Sequence, residues 1–187
     1  MRAFIALDLP EHVHLALSAA QQSFRNSCRD ARWARPEGIH LTLKFLGEIS
    51  DRQYKLVGES WEQIKTVEPF SLEVKGFGFF PVSRHPRVLW AGVVAPPALG
   101  KLASQVEDLM ERAGFPREER AFSPHLTLAR FPGARPQPAL EAAVAARSDE
   151  SLGRFEVSEF FLFESRLSPQ GAQYKKVLRF PRAFVGD

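Results

Sequence analysis

The tetrapeptide His40-Leu41-Thr42-Leu43 returns as His125-Leu126-Thr127-Leu128, an offset of 85 residues (125 − 40). The chain holds five histidines and three threonines, and two of each fall in this arrangement. Such a doubling is a poor match to chance and a good match to a built site. On a strand, side chains two apart share a face. His40 and Thr42 therefore point one way, and Leu41 and Leu43 point the other way, into a core; the second copy repeats the division.

Two imidazoles brought face to face suit phosphodiester chemistry. A neutral histidine takes the proton of an attacking water or hydroxyl, and a protonated one donates to the leaving oxygen. An unperturbed pKa near 6.5 lets both forms coexist near neutrality. Threonine hydroxyls donate to nonbridging phosphate oxygens, where negative charge must be held. The scheme requires no metal and no cofactor.

Other residues are weighed against this pair. Arg130 closes the second motif and is a candidate for phosphate binding or base stacking. Strand parity puts it opposite His125 and Thr127 unless the strand ends at Phe131-Pro132. Lys44 has the parity of His40 and Thr42 and is expected to be solvated. Phe45 has core parity. Phe4 and Tyr174 can hold a base, but core packing is the first expectation. His12, His14 and His85 lack partners at metal-ligand spacing and are expected on the surface. Cys28 is the only cysteine. It excludes an internal disulfide and a thiolate cluster, and is expected as a small apolar residue on a helix.

These residues need a scaffold. A chain of 187 residues, 44% apolar and 25% charged, fits one soluble domain or two small lobes sharing a core. A net charge of +3 is compatible with a phosphate-bearing partner. The opening apolar stretch is broken by Asp8 and Pro10, too short for a secretory signal, and no segment approaches a membrane span. A cytoplasmic setting, no membrane association and a monomer are the expectations.

Periodicity predicts strands over 2–8, 39–46, 70–80 (bent at Gly76 and Gly78), 87–94 and 125–130, with the last two over 153–163 and 174–180. It predicts helices over 11–26, 51–66, 98–113 and 139–147, the third opened by Pro96-Pro97 and closed by Gly114. The fold class is α+β, roughly βαββαβ-like in each half, with mixed or antiparallel sheets. The motif offset matches the length of one lobe and supports duplication.

The motifs resemble a known family. Arg2 to Pro10, Ile39 to Glu48 (with its trailing Phe45-Leu46-Gly47-Glu48), Arg87 to Trp90 and Phe122 to Arg130 are similar to segments of the bacterial and archaeal RNA 2′,3′-cyclic phosphodiesterases. These are also called 2′-5′ RNA ligases and belong to the two-histidine (2H) phosphoesterase superfamily. The resemblance spans nearly the whole chain. It implies one domain over residues 1–187, built of two intertwined, pseudo-symmetric lobes around a central cleft.

The resemblance further implies metal-independent opening of a 2′,3′-cyclic phosphate to a 2′-phosphomonoester, on RNA or a nucleotide carrying that end. His40 and His125 would be the catalytic pair, with Thr42, Thr127 and Arg130 on the phosphate. Since O3′ leaves, the analogy makes His40 the acid and His125 the base. Joining tRNA halves through a 2′-5′ linkage is the same chemistry with a ribose 5′-hydroxyl in place of water. No Walker-type loop or adenylylation lysine suggests ATP-driven ligation. Two alternatives stay open: a noncatalytic RNA- or nucleotide-binding module, and a 2H esterase for 2′-5′ oligonucleotides or other cyclic nucleotides. Loops outside the motifs would decide between such substrates.

Overall fold

A computed structural model describes residues 1–64, 67–168 and 171–181. In chain order its elements are β1 (Arg2–Leu7), α1 (Glu11–Arg25), β2 (Arg32–Trp33), a 3₁₀ turn (Pro36–Gly38), β3 (Leu41–Glu48) and α2 (Asp51–Trp61). There follow β4 (Phe70–Phe80), β5 (Val88–Val94), α3 (Pro97–Arg112), β6 (His125–Arg130), α4 (Pro138–Ala145), β7 (Ser151–Val157), β8 (Phe160–Ser168) and β9 (Gly171–Phe180). The predicted helix over 51–66 stops earlier than expected, and its last two residues lie outside the described ones.

Two antiparallel sheets result. The first has strand order β3-β1-β8-β9 and the second β2-β6-β5-β4-β7. The second is built from one continuous stretch of chain plus β2, whereas the first joins the N-terminal and C-terminal strands. Neither follows a βαββαβ order along the chain. Counterparts can still be matched strand for strand: β3 with β6, β1 with β5, β8 with β4, and β9 with β7.

The helices cross between sheets. α1 leaves β1 of the first sheet but packs with α4 on the second, against β7. Phe24 of α1 meets Phe77 of β4 edge-on at 4.9 Å. α3 leaves β5 of the second sheet but packs against β3 and α2 on the first. One continuous cluster of buried side chains, from Ile5 and Leu7 to Leu126 and Leu128, joins both sheets. α1 and α3 thus each cover the sheet to which their preceding strand does not belong.

Local signals explain the boundaries. Ser50 caps α2: its hydroxyl accepts from the Gln53 N–H, and its own N–H donates to the Gln53 side chain. Pro97 opens α3, and Gly114, at a φ of 89°, turns the chain out of it. Cys28 lies past the end of α1 rather than on it, and is half-buried.

The strand predicted over 153–163 is two strands in different sheets. β7 alternates as an edge strand does, while Phe160 to Phe163 are buried on both faces, as a central strand must be. The break falls at Ser158-Glu159. Among the described residues, no helix is long and apolar enough to cross a membrane.

Candidate active site

His40 lies one residue before β3, and His125 is the first residue of β6. β3 and β6 come into contact, so the two motifs meet at the seam between the sheets. Each imidazole is held by the same device. His40 Nδ1 lies 2.7 Å from the Gly38 carbonyl, and His125 Nδ1 lies 2.8 Å from the Ser123 carbonyl. A carbonyl only accepts, so each Nδ1 carries a proton and donates it. When the ring is neutral, this leaves the Nε2 lone pair as the reactive position.

A second shared device overturns the parity expectations. Pairing of β3 with β1 steps from Ala6↔Thr42 to Ile5↔Lys44, which leaves Leu43 as an extra residue. Pairing of β6 with β5 steps from Trp90↔Thr127 to Leu89↔Ala129, which leaves Leu128 extra at the same motif position. Each bulge rotates the rest of its strand by one residue. Lys44 and Ala129 consequently turn into the protein, at 5% and 0% exposure. Phe45, at 66% exposure, and Arg130 turn out onto the His/Thr face. Arg130 therefore shares the face of His125 and Thr127, Phe45 is not a core residue, and Lys44 is not solvated.

Each bulge is tied from across the seam. Lys44 Nζ donates to both Glu107 carboxylate oxygens, at 2.9 and 2.8 Å, and to the Pro116 carbonyl at 2.9 Å. Glu107 belongs to α3. In the other half, buried Gln21 of α1 donates to the Leu128 carbonyl at 3.0 Å and to the Ala34 carbonyl at 2.8 Å. The crossed helices thus grip the strands that carry the motifs.

The surroundings of the two histidines differ. His40 is stacked on Phe4 at 4.3 Å and on Phe163 at 5.8 Å, and meets Tyr174 edge-on at 5.0 Å. Burial among these rings pushes the imidazole from 6.5 down to about 4. The Gly38 carbonyl and the Asp8 carboxylate oppose that shift, and His14 adds to it. Among the described residues, His125 has a single ring neighbour, Phe80, edge-on at 4.9 Å. Thr42 and Thr127 are half-buried, and neither hydroxyl is engaged by another described residue.

Of the residues singled out in sequence, Phe4 and Tyr174 pack directly on His40, Phe4 buried and Tyr174 exposed at its rim. His14 is not a surface residue: it is half-buried with Nδ1 at 2.7 Å from the Pro36 carbonyl. His12 and His85 are exposed. Sequence reasoning passed over Phe161 and Phe163, which form with Phe4 and Ala6 a small apolar cluster apart from the main core. The four-residue apolar run Phe160 to Phe163 was its available signal. It also missed Arg32, which pairs directly with Arg130 across β2 and β6.

Comparison with known proteins follows the same outline. The model of the 2′-5′ RNA ligase superfamily matches residues 10–168. The RNA 2′,3′-cyclic phosphodiesterase of Methanothermobacter thermautotrophicus is 31% identical over 93% of this chain and 95% of its own. Among solved structures, TT0787 of Thermus thermophilus superposes with a TM-score of 0.77 at 31% identity, covering 96% of this chain and 97% of that one. E. coli LigT complexed with 3′-AMP superposes with a TM-score of 0.75 at 25% identity, covering 96% of each.

Proposed function

The chain belongs to the 2′-5′ RNA ligase superfamily, and we propose that it is an RNA 2′,3′-cyclic phosphodiesterase working by two-histidine acid–base catalysis. The observation that carries the mechanism is the doubled device: two imidazoles fixed through Nδ1, each with Nε2 available and a threonine on its own strand face. The substrate is an RNA or nucleotide with a 2′,3′-cyclic phosphate end. Water attacks phosphorus as one histidine takes its proton. The P–O3′ bond breaks as the other donates a proton to O3′, and a 2′-phosphomonoester remains. Thr42, Thr127 and Arg130 hold the nonbridging oxygens. The same step with a ribose 5′-hydroxyl as nucleophile gives a 2′-5′ linkage. The protein acts as a single domain of two intertwined lobes, a cytoplasmic monomer needing neither metal nor cofactor.

His125 is the base and His40 the acid. Burial keeps His40 neutral in the free protein, so its proton must be held by the substrate. A phosphate monoanion about 4 Å away, at an effective dielectric near 20, stabilises an imidazolium by roughly 4 kcal/mol. At about 1.4 kcal/mol per pKa unit, that is roughly three units. It lifts His40 from about 4 into the neutral range only when phosphate is bound. The acid is thereby charged on demand.

The test is hydrolysis of an oligoribonucleotide ending in a 2′,3′-cyclic phosphate. The expected product is the 2′-phosphate, formed at an undiminished rate in EDTA. A 3′-phosphate product, or a strict metal requirement, overturns the reading.

A further inference from the structure

A cavity of about 460 Å³ opens directly beyond β6, lined by Asp30, Phe131, Pro132, Gly133, Arg135 and Gln137. None of these residues belongs to the histidine motifs. The volume lies within the roughly 300–1,000 Å³ of small-molecule sites. Its walls are tied down. The Phe131 N–H donates to the Arg87 carbonyl at 3.0 Å, and the Arg87 guanidinium donates to the Pro132 carbonyl at 3.1 Å. The Gln137 amide reaches back to the Arg29 carbonyl at 3.3 Å. Asp30 adopts a left-handed φ of 64°, a conformation that asparagine and aspartate tolerate best among non-glycine residues.

The path from the motif to this cavity is positively charged. Arg32 and Arg130 are direct cross-strand partners and both are exposed. Like charges in that position repel. Among the described residues, neither of them nor Arg135 is paired with a carboxylate. Two exposed arginines at directly opposed strand positions are a fitting seat for an anion between them. Because of the bulge at Leu128, that seat lies on the face of His125 and Thr127. From His125 to Arg130 the paired strand advances four residues, Gly92 to Val88, roughly 13 Å at ~3.3 Å per residue, and the cavity begins beyond that, at Phe131. That is farther than a single nucleotide reaches from a phosphate held between the histidines.

We propose that the cavity is a second nucleotide subsite, taking a base of the RNA upstream of its cyclic end, with Arg32, next to Arg130, on the intervening phosphate. The inference rests on the function proposed above. Exposed Pro132 offers apolar surface to a base plane, backed by the buried Phe131 ring. Asp30 and Gln137 are of the types that read base edges, and Arg135 adds charge or stacking. The enzyme so equipped acts on chains, and a free cyclic nucleotide fills only part of the site.

The experiment compares 2′,3′-cyclic AMP with oligoribonucleotides of two to six residues carrying a 2′,3′-cyclic end, for the wild-type protein and Arg135→Gln. The wild type is expected to show KM falling by about ten-fold once the chain is long enough to reach the cavity, with a steeper salt dependence than for the mononucleotide. Arg135→Gln is expected to erase most of that gain and leave cyclic AMP kinetics unchanged; Arg135→Lys restores part of it. A KM independent of chain length, or a chain-length gain untouched by Arg135→Gln, overturns the subsite. Binding of a labelled hexanucleotide to the His125→Ala protein separates the two proposals. Weakening by Arg135→Gln without any turnover in the wild type supports the subsite and removes the catalytic reading.

Discussion

In β3 and in β6 the histidine ring donates to the carbonyl two residues back, and the strand bulges at the fourth motif residue. In each, the sixth motif residue is thereby turned onto the His/Thr face. The row across the first sheet then reads Thr42-Ala6-Phe161, and across the second Thr127-Trp90-Gly78. The large ring has moved by one strand. A Cβ on Gly78 would lie 2.3 Å from the Trp90 ring, so the glycine is the space that ring occupies. The next row reads Phe45-Phe4-Phe163 against Arg130-Val88-Phe80. The first half surrounds its histidine with rings and depresses its charge; the second gives its histidine one ring contact among the described residues, Phe80. A duplicated backbone places two identical groups between unmatched walls, and in the proposed mechanism that mismatch is what separates acid from base.

The sharpest way to break that division is to remove each histidine in turn. His40→Ala and His125→Ala are each expected to lower hydrolysis of a cyclic ribonucleotide by about 10³-fold or more. A p-nitrophenyl phosphodiester tells them apart, because its leaving group departs as a stable anion and needs no proton. On that substrate His40→Ala is expected to lose only about ten-fold, and His125→Ala to remain as impaired as before. The opposite pattern would exchange the two roles.

Much of this was legible in the sequence. The repeated tetrapeptide marked the candidate site, and apolar periodicity located the four helices found among the described residues, because capping and breaker residues mark their ends. What parity got wrong at Lys44, Phe45 and Arg130 follows from the bulges. The extra residue in each strand is a leucine rather than a glycine, so nothing in its chemistry announces the change of face. The crossing of α1 and α3 between sheets, and the two-residue β2 that brings Arg32 to Arg130, are products of long-range packing. No local pattern encodes either.

The two ties that hold the bulges differ in the same sense as the walls. Lys44, at 4% exposure, and Glu107, at 17%, form a buried ion pair. Lys44→Ala strands the Glu107 carboxylate and is expected to cost about 3–5 kcal/mol in urea unfolding, whereas Lys44→Met with Glu107→Leu should recover most of that loss. Equal destabilisation by the single and double changes would show that shape, not charge, makes the tie. The His40 wall is a step smaller. Its folded pKa is depressed from 6.5 to about 4, so between those values the unfolded chain binds the proton and the folded one does not. Stability is present above pH 6.5 and is lost as the pH falls toward 4, on the order of 3 kcal/mol in full. His40→Gln should flatten that slope. NMR titration of His40 should show its midpoint rising by roughly three units when a phosphate anion is added.

The smallest effect tests whether the neutral tie aims the site as well as stabilising it. Gln21 is 2% exposed, and its one amide nitrogen satisfies the carbonyls of Ala34 and Leu128 together. Gln21→Ala leaves both without that donor, at an expected cost of about 1–3 kcal/mol. Leu128 is the bulge residue, and Arg130 faces the site only because the bulge is there. A loosened bulge lets the strand relax toward regular pairing, which would turn Arg130 away while His125, anchored through Nδ1 at the strand's start, stays in place. The change is therefore expected to raise KM for the cyclic phosphate several-fold more than it lowers kcat, and to weaken the response to an added Arg130→Gln. Full additivity of the two substitutions would mean that Gln21 supports the core and has no part in aiming the guanidinium.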